Sequence, residues 1–199
     1  MGAMEPKTLT SKVARAGLRA LRGWKFEGEV PATKRAVLLA CPHTSNMDGL
    51  LLVLLNRSVG MRAHWMVKND WTKGPMGWVT DAVGAVPIDR SRPTGMVGQM
   101  VEQFEKREHF HLFIPPEGTR SRADHWKSGF YLIALGAKVP VIPGYLDYSR
   151  KRGGFGAPIE LTGDKRADMD RIRAFYKDGA SMARFPEKFG PIRLRDEDA

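Results

Sequence analysis

The sequence has little cysteine, no long apolar runs and none of the glycine-rich motifs that hold nucleotides. Its 199 residues include one cysteine, which excludes an internal disulfide and is typical of a reducing compartment. No apolar stretch approaches the roughly 20 residues that a membrane-spanning helix needs, and we expect no signal peptide. Gly-x-x-x-x-Gly-Lys-Ser/Thr and Gly-x-Ser-x-Gly motifs are both absent. The sequence therefore does not support a P-loop nucleotide hydrolase or an elbow-type serine hydrolase.

Acidic residues are also scarce compared with basic ones. The chain has 32 Lys and Arg residues against 22 Asp and Glu residues, a formal net charge of +10 at pH 7. Such a charge favours an anionic partner, which can be nucleic acid, an anionic lipid surface or a phosphorylated substrate. A basic anion- or nucleic-acid-binding module is thus one hypothesis, although no basic motif interleaved with aromatic residues supports it.

Short apolar segments alternate with helical patterns along the chain, and no repeat or linker divides it. This alternation predicts a single α/β domain with a mixed, mostly parallel sheet flanked by helices. We expect a vector-derived remnant at residues 1–4, an amphipathic helix within 5–28, the main domain at 29–185 and a charged, loosely packed tail at 186–199. Predicted strands cover residues 36–41, 62–68, 84–90, 109–115, 139–145 and 159–162. Predicted helices cover residues 8–25, 45–56, 93–107, 129–137 and 167–177.

A reactive turn is predicted where the first buried strand ends. Residues 36–41 are continuously apolar, as in a strand buried on both faces, and Pro42 cannot continue a central strand. Ser45 is predicted to cap the following helix, with Asp48 in its first turn. His43 would then lie at the carboxyl edge of the sheet, where open α/β sheets bind their ligands.

A histidine and a carboxylate in this geometry can perform general-base catalysis. The neutral imidazole of His43 takes a proton from a hydroxyl while Asp48 holds its other ring nitrogen. Backbone N–H groups at the start of the next helix are expected to stabilise the oxyanion. The alternative is that Asp48 caps the helix and His43 is an ordinary turn histidine.

A second candidate site follows the strand at 109–115, in the sequence Pro116-Glu-Gly-Thr-Arg-Ser121. Gly118 permits an unusual turn, while Thr119 and Arg120 can donate to phosphate oxygens. Glu117 can accept a hydrogen bond from a hydroxyl or pair with Arg120. An ordinary glycine turn with surface charges is the other interpretation.

Three more cations are predicted at the same edge of the sheet. They are Lys68, Arg90 and Lys127, which together would form an anion pocket beside the base. His109 and His111 share a strand face, but no third ligand has suitable spacing, so we predict no metal site.

The first helix is basic and amphipathic. One face carries Lys12, Arg15, Arg19 and Arg22, and apolar positions include Leu18, Leu21 and Trp24. This pattern suits the interface of an anionic bilayer, so we interpret these seven residues as membrane-facing. A helix docked on its own domain, with its basic face in water, is equally compatible.

Four ordered blocks of the sequence resemble one family. They are His43-x4-Asp48, Gly84-Ala-Val-Pro-Ile-Asp-Arg90, Phe113-Ile-Pro-Pro-Glu-Gly-Thr-Arg-Ser121 and Val139-Pro-Val-Ile-Pro143. This set is similar to the HX4D motifs of the glycerolipid acyltransferases, which include the 1-acylglycerol-3-phosphate acyltransferases. The resemblance extends from about residue 36 to residue 144.

The resemblance implies an enzyme without a cofactor that transfers an acyl group from a coenzyme A or acyl-carrier-protein thioester to a hydroxyl. It implies His43 as base and Asp48 as its orienting partner. It places Arg90 at the acceptor phosphate, with Glu117, Gly118, Thr119 and Arg120 also binding the acceptor. The expected acceptor is a lysophospholipid, foremost 1-acylglycerol-3-phosphate giving phosphatidic acid. Another lipid or glycolipid hydroxyl, or water in an acyl hydrolase, remains an alternative. The expected location is cytoplasmic, at the membrane periphery.

Overall fold

The computed structural model describes residues 8–69, 77, 80, 84–89 and 91–197. Its helices are α1 (Leu9–Ala20), α2 (Met47–Ser58), α3 (Gly95–Lys106), α4 (Gly129–Ala137), α5 (Lys165–Phe175) and α6 (Gly179–Met182), followed by a 3-10 turn at Pro186–Lys188. Its strands are β1 (Lys25–Glu27), β2 (Arg35–Ala40), β3 (His64–Lys68), β4 (Ala85–Ile88), β5 (Phe110–Ile114), β6 (Val141–Asp147) and β7 (Arg152–Phe155).

The described strands form one sheet in the order β1-β7-β6-β2-β5-β3-β4. The neighbours from β6 to β4 are all parallel, whereas β6 and β7 are antiparallel. β1 in turn pairs parallel to β7. The α/β domain with a mostly parallel sheet is therefore confirmed, and the carboxyl ends of five strands meet at one edge.

The central strand β2 is buried on both faces, as its continuous apolar sequence predicts. Val37 and Leu39 belong to a core cluster under α3, α4 and α5, with Phe104, Phe130 and Ile172 from those helices. Ala36 and Leu38 point the other way, into a second cluster with Ile142 of β6. Because successive side chains of a strand alternate between faces, this pattern lets β2 hold both layers together.

Helix α1 is docked on α2. Its residues Ala14 and Leu18 are buried, and Gly17 lies against Leu54 so closely that an added Cβ would be 3.4 Å from the leucine methyls. Arg15 Nε donates to the Ser58 carbonyl oxygen at 3.1 Å, which ties α1 to the end of α2. The interpretation of a helix packed on its own domain is the one that the structure supports.

This docking corrects part of the predicted membrane-facing set. Leu18 and Trp24 are 3% and 7% exposed and pack with Leu51, and Leu21 is partly buried against the same cluster. Leu18 and Trp24 have their apolar surface inside the protein, so these two are not membrane-facing. Leu9 and Val13 are the exposed apolar residues of α1.

Sequence reasoning missed the antiparallel edge of the sheet. Strand β1 has three residues and β7 has four, and neither is among the predicted strands. The strand predicted at 159–162 is wrong, since only an isolated bridge joins Ile159 to Val141. β4 contains Pro87 and lies at the outer end of the sheet, where a residue without a backbone N–H is tolerated.

The expectation of a loosely packed tail is wrong for part of the segment after residue 185. Leu194 is 2% exposed and joins the large core cluster, where it forms a bridge with Trp126. Arg173 of α5 also pairs with Glu197 at 2.7 Å. Within the described part of the chain, no helix combines the length and the apolar character needed to cross a bilayer.

Candidate active site

His43 and Asp48 are brought together by the loop between β2 and α2. Strand β2 ends at Ala40 and α2 begins at Met47, so the loop carries His43 and the first turn of the helix carries Asp48. His43 Nδ1 lies 3.2 Å from Asp48 Oδ2. The His43 side chain is 19% exposed and that of Asp48 is 1% exposed. The pair is thus partly open to a ligand on the histidine side and closed on the aspartate side.

Several donors converge on the Asp48 carboxylate. The backbone N–H groups of Thr44 and Ser45 donate to Oδ2, each at 2.9 Å, and the Tyr148 hydroxyl donates to Oδ1 at 2.5 Å. Burial on its own would raise the pKa of Asp48, but the bonds from His43, Tyr148 and Ser45 outweigh it and lower the pKa. Asp48 is therefore held as a carboxylate at neutral pH.

The same contacts correct the expected start of α2 and engage some of the backbone N–H groups near it. The helix begins at Met47, with Asn46 at its N-cap position, so Ser45 is not the predicted cap. The Ser45 Oγ nevertheless accepts a hydrogen bond from Met47 N at 3.0 Å. The N–H groups of Thr44, Ser45 and Met47 are thus already bonded to Asp48 or Ser45. They are not available to an oxyanion in this conformation.

Glu117 belongs to the second turn, residues 116–121, and faces the loop that carries His43. It is 6% exposed, and its Oε1 accepts a 3.1 Å hydrogen bond from the backbone N–H of His43. Burial raises the pKa of Glu117. The residue therefore braces the loop that carries His43. The ion pairs of the described residues include none between Glu117 and Arg120, and the expected contact with a bound hydroxyl stays a prediction.

The rest of the second turn is exposed at the same edge of the sheet. Gly118 has a φ of +66°, a left-handed conformation that glycine adopts without strain. Thr119 Oγ1 accepts from Ser121 N at 3.2 Å, and Arg120 is exposed. Lys127 donates its backbone N–H to Pro116 at 2.7 Å, and its side chain passes over Gly118. Thr119, Arg120 and Lys127 are thus grouped around one turn, next to the loop of His43.

Of the other two predicted cations, Lys68 is placed by its backbone position, whereas Arg90 is not described. Lys68 is the last residue of β3, whose carboxyl end lies at this edge of the sheet, as expected. Arg90 lies outside the described residues, so its place in the site stays a prediction.

Sequence reasoning missed two residues beside the pair. Tyr148 follows the carboxyl end of β6, so the rule that located His43 also applies to it. Arg184 comes from the segment after α6, its Nη1 lies 3.4 Å from Ser45 Oγ, and its guanidinium lies 6.0 Å from the Tyr148 ring centroid. No sequence motif marks Arg184, because only the tertiary fold brings it to the site.

Cys41 is not suited to nucleophilic catalysis. It is 2% exposed, and burial together with the neighbouring Glu117 raises the pKa of its thiol well above the usual range. A thiol that stays protonated is a weak nucleophile. The reactive group of the site is therefore the imidazole of His43.

A buried carboxylate that orients a partly exposed histidine, at the carboxyl edge of a parallel sheet, defines a site of the general-base class. The comparisons with known proteins agree with an enzyme. The Acyltransferase family matches residues 24–147, which is more than half of the chain and includes His43, Asp48 and the second turn. The chain belongs to this family of acyltransferases.

Two individual proteins are similar to this chain in sequence, and one of them is an acyltransferase. A 1-acyl-sn-glycerol-3-phosphate acyltransferase from Streptococcus pneumoniae (strain ATCC BAA-255 / R6) is 26% identical over 175 residues, or 78% of this chain. The match spans 65% of that protein's length. A second relative, Regulating synaptic membrane exocytosis protein 2 from Mus musculus, is 27% identical over 188 residues, or 85% of this chain, but the match covers 12% of that protein.

The fold has a counterpart among solved structures. The crystal structure of the 1-acyl-sn-glycerophosphate (LPA) acyltransferase PlsC from Thermotoga maritima superimposes with a TM-score of 0.55. The superposition covers 85% of this chain and 77% of that one, at 19% sequence identity. At this identity the likeness concerns the fold: an α/β domain with a mostly parallel sheet.

Proposed function

We propose that the protein is an O-acyltransferase that moves a fatty acyl group from an acyl-CoA or acyl-ACP thioester to the hydroxyl of a lysophospholipid. The proposed acceptor is 1-acylglycerol-3-phosphate and the proposed product is phosphatidic acid. The observation that carries the proposal is the contact between His43 and Asp48 in a chain of the Acyltransferase family. The S. pneumoniae relative, which acts by its name on 1-acyl-sn-glycerol-3-phosphate, supports the choice of acceptor.

The proposed chemistry starts from the ionised state of Asp48. A carboxylate 3.2 Å from Nδ1 favours the tautomer with a proton on Nδ1, so the lone pair is on Nε2. His43 Nε2 removes the proton of the acceptor hydroxyl, and the oxygen forms a bond to the thioester carbonyl carbon. The carbon–sulfur bond then breaks, and the thiolate takes the proton from the imidazolium. The acyl group passes directly to the acceptor, without a covalent acyl-enzyme.

The exposed second turn is the proposed contact for a phosphate of the substrates. Arg120 can bind phosphate oxygens in a bidentate manner, and Thr119 and Lys127 add donors beside it. Arg90, predicted at the end of β4, and Lys68, at the end of β3, complete the proposed set. Glu117 acts in this proposal through the loop of His43, from whose backbone N–H it accepts a hydrogen bond.

We further propose that α1 brings the site to an anionic, cytoplasmic membrane surface. Leu9 is 77% exposed and Val13 62% exposed, and they lie one helical turn apart beside the exposed Lys12. Arg19 is exposed farther along the same helix. An apolar strip flanked by cations is the surface that an interfacial helix presents to anionic lipid.

An acceptor screen with the purified protein tests the function. Radiolabelled acyl-CoA and acyl-ACP are each incubated with lysophosphatidate, with other lysophospholipids and without an acceptor. The proposal expects phosphatidic acid with lysophosphatidate, and little free fatty acid without it. Equal release of fatty acid with and without an acceptor would instead establish a hydrolase. Acylation of another lysolipid in preference to lysophosphatidate would keep the acyltransferase and overturn the acceptor.

A further inference from the structure

A cavity of about 370 Å³ lies between the end of α1, the start of α2 and the segment after β6. Its size is within the range of small-molecule sites. Tyr148 lines it, and the same Tyr148 hydroxyl donates to Asp48, so the cavity is one side chain away from the catalytic carboxylate. Part of the cavity wall is therefore in contact with the proposed catalytic pair.

The cavity has an apolar wall. Leu21 and Trp24 come from the end of α1, and Met47 and Leu51 come from the first turns of α2. Leu21 and Met47 are partly exposed. Trp24 packs edge-on against Tyr148, with ring centroids 4.9 Å apart. Such a wall suits a hydrocarbon chain or another apolar group.

Three cations also line the cavity, namely Arg22, Lys151 and Arg184. Within residues 8–69, 77, 80, 84–89 and 91–197, none of them is within ion-pair distance of a carboxylate. Arg150, the neighbour of Lys151, is by contrast paired with Glu27 at 2.7 Å. The cavity therefore carries positive charge that the described part of the protein does not neutralise.

Two of these cations occupy an unusual backbone conformation. Arg22 has a φ of +69° and Lys151 a φ of +55°, both in the left-handed region. Glycine or asparagine adopts this region at less cost than arginine or lysine, so local turn geometry alone does not favour these residues. The side chains of both residues line the same cavity, so the two positions bring positive charge to one place.

We propose that this cavity binds a single-chain phospholipid that carries a phosphate monoester, the chemistry of a lysophosphatidate. Arg22, Lys151 and Arg184 hold the phosphate, and the acyl chain lies on the wall of Leu21, Met47 and Leu51. The assignment rests on the proposed function, because it takes the amphiphile to be the acceptor. It places the phosphate of the acceptor on the Tyr148 side of the pair, which leaves the turn around Arg120 to a phosphate of the thioester donor.

Direct binding tests the cavity without turnover. Isothermal titration is carried out with monomeric lauroyl-glycerol 3-phosphate below its micelle concentration, and no thioester is present. Lauroyl-glycerol, which lacks the phosphate, and glycerol 3-phosphate, which lacks the chain, are titrated beside it. The proposal expects the complete amphiphile to bind at least about tenfold more tightly than either half. Equal affinity for one of the halves would overturn it.

The variants preserve the backbone as far as possible. Arg22→Asn and Lys151→Asn remove the charge while asparagine still tolerates a positive φ, and Arg184→Gln keeps a donor near Ser45. Each is expected to weaken binding of the amphiphile about threefold to tenfold, since a charged contact to an anion is lost. Arg22→Lys and Lys151→Arg keep the charge and should retain most of the wild-type affinity for the amphiphile.

Lys138→Asn is the matched control. Lys138 is an exposed lysine with a φ of +52°, close to that of Lys151, but it precedes β6 and so lies at the opposite edge of the sheet. Its replacement should leave the affinity within about twofold of wild type. Losses in the three cavity variants no larger than this control would overturn the proposal.

Three further results separate this inference from membrane binding by the same cations and from the proposed function. If the variants lose binding to phosphatidic-acid vesicles but keep binding of the monomeric amphiphile, the cations serve the bilayer and the cavity proposal is wrong. If the wild-type protein binds the amphiphile through these residues but transfers no acyl group, the cavity stands and the proposed function fails. Normal transfer by cavity variants that also bind like wild type would overturn the cavity proposal and leave the proposed function intact.

Discussion

The Asp48 carboxylate is shared between the ring of His43 and the hydroxyl of Tyr148. Oδ2 lies 3.2 Å from His43 Nδ1, and Oδ1 accepts from Tyr148 at 2.5 Å. The two partners lie 105 residues apart in the sequence, because one follows β2 and the other follows β6, which are neighbouring parallel strands. Tyr148 thus fixes the carboxylate that orients the base, and burial with the Asp48 contact raises its own pKa.

Removal of this hydroxyl should slow the chemical step. Tyr148→Phe is expected to lower kcat about tenfold with a smaller change in KM, since a hydrogen bond to a charged group is lost while the ring remains. The pKa of Asp48 should also rise, because the carboxylate loses a donor that lowers its pKa, and NMR titration of the carboxyl group measures this. Tyr145→Phe is the matched control: its hydroxyl donates to Glu27 at 2.9 Å, away from the pair. Equal kinetic effects of the two changes would contradict the positioning role of Tyr148.

Glu117 is expected to act as a structural brace for the His43 loop. Glu117→Gln retains an oxygen that accepts from His43 N and removes a charge that burial disfavours, so the variant should fold and keep most activity. Glu117→Ala leaves that N–H without its partner and should lower the free energy of unfolding by about 1–3 kcal/mol. Chemical denaturation and steady-state kinetics measure both effects. A folded Gln variant with no activity would mean that the carboxylate itself contacts substrate.

Asp168 should control stability at low pH. It is fully buried in α5 and accepts bonds from Tyr131 and Thr162, and its pKa is lowered because these bonds and that of Arg171 outweigh desolvation. A depressed folded pKa contributes stability that is complete above the unfolded value of about 3.9 and is lost as the pH falls through the folded value.

Asp168→Asn should therefore lower the free energy of unfolding by about 2–4 kcal/mol at pH 7 and by less near pH 3. Asp170→Asn is the control, because Asp170 is 64% exposed in the same helix and pairs with Arg173 at the surface. Urea unfolding at the two pH values measures the difference. An effect of Asp168→Asn that does not depend on pH would contradict the assignment.

The exposed face of α1 should bind anionic vesicles. Lys12→Glu with Arg19→Glu is expected to reduce co-sedimentation with vesicles at low salt, since each cation near an anionic surface contributes about 1 kcal/mol. Arg15 is left unchanged because it bonds Ser58. Lys138→Glu with Lys177→Glu alters the net charge equally on other elements and should have a smaller effect. If both pairs sediment alike, α1 is not the membrane contact.

Much of the fold follows from local pattern, and the exceptions share one physical reason. The continuous apolar run of β2 and the turn at Pro42 indicated a buried strand and the place of His43. β1 and β7 gave no signal because they are strands of three and four residues, held by pairing with distant residues and not by their own hydrophobic periodicity.

The residues of the candidate site also divide into those that the local sequence predicts and those that only tertiary packing brings together. His43 and Asp48 are five residues apart, so one turn of chain is enough to predict their contact. The burial of Glu117 under His43, and the arrival of Arg184 at Ser45, depend on how elements pack across the sheet. The burial of Trp24 is a similar case. A basic amphipathic helix has the same sequence pattern whether its apolar face binds a membrane or packs on α2, so only the tertiary contact distinguishes the two.

The most direct test of general-base catalysis is the turnover of His43→Ala with an acyl thioester donor and lysophosphatidate. The ring is partly exposed, so the purified variant should unfold at nearly the wild-type temperature. General-base catalysis typically contributes about 10²–10⁴-fold, and we predict a loss of kcat in that range. A folded His43→Ala protein that makes phosphatidic acid at close to the wild-type rate would contradict the assignment of His43 as the base.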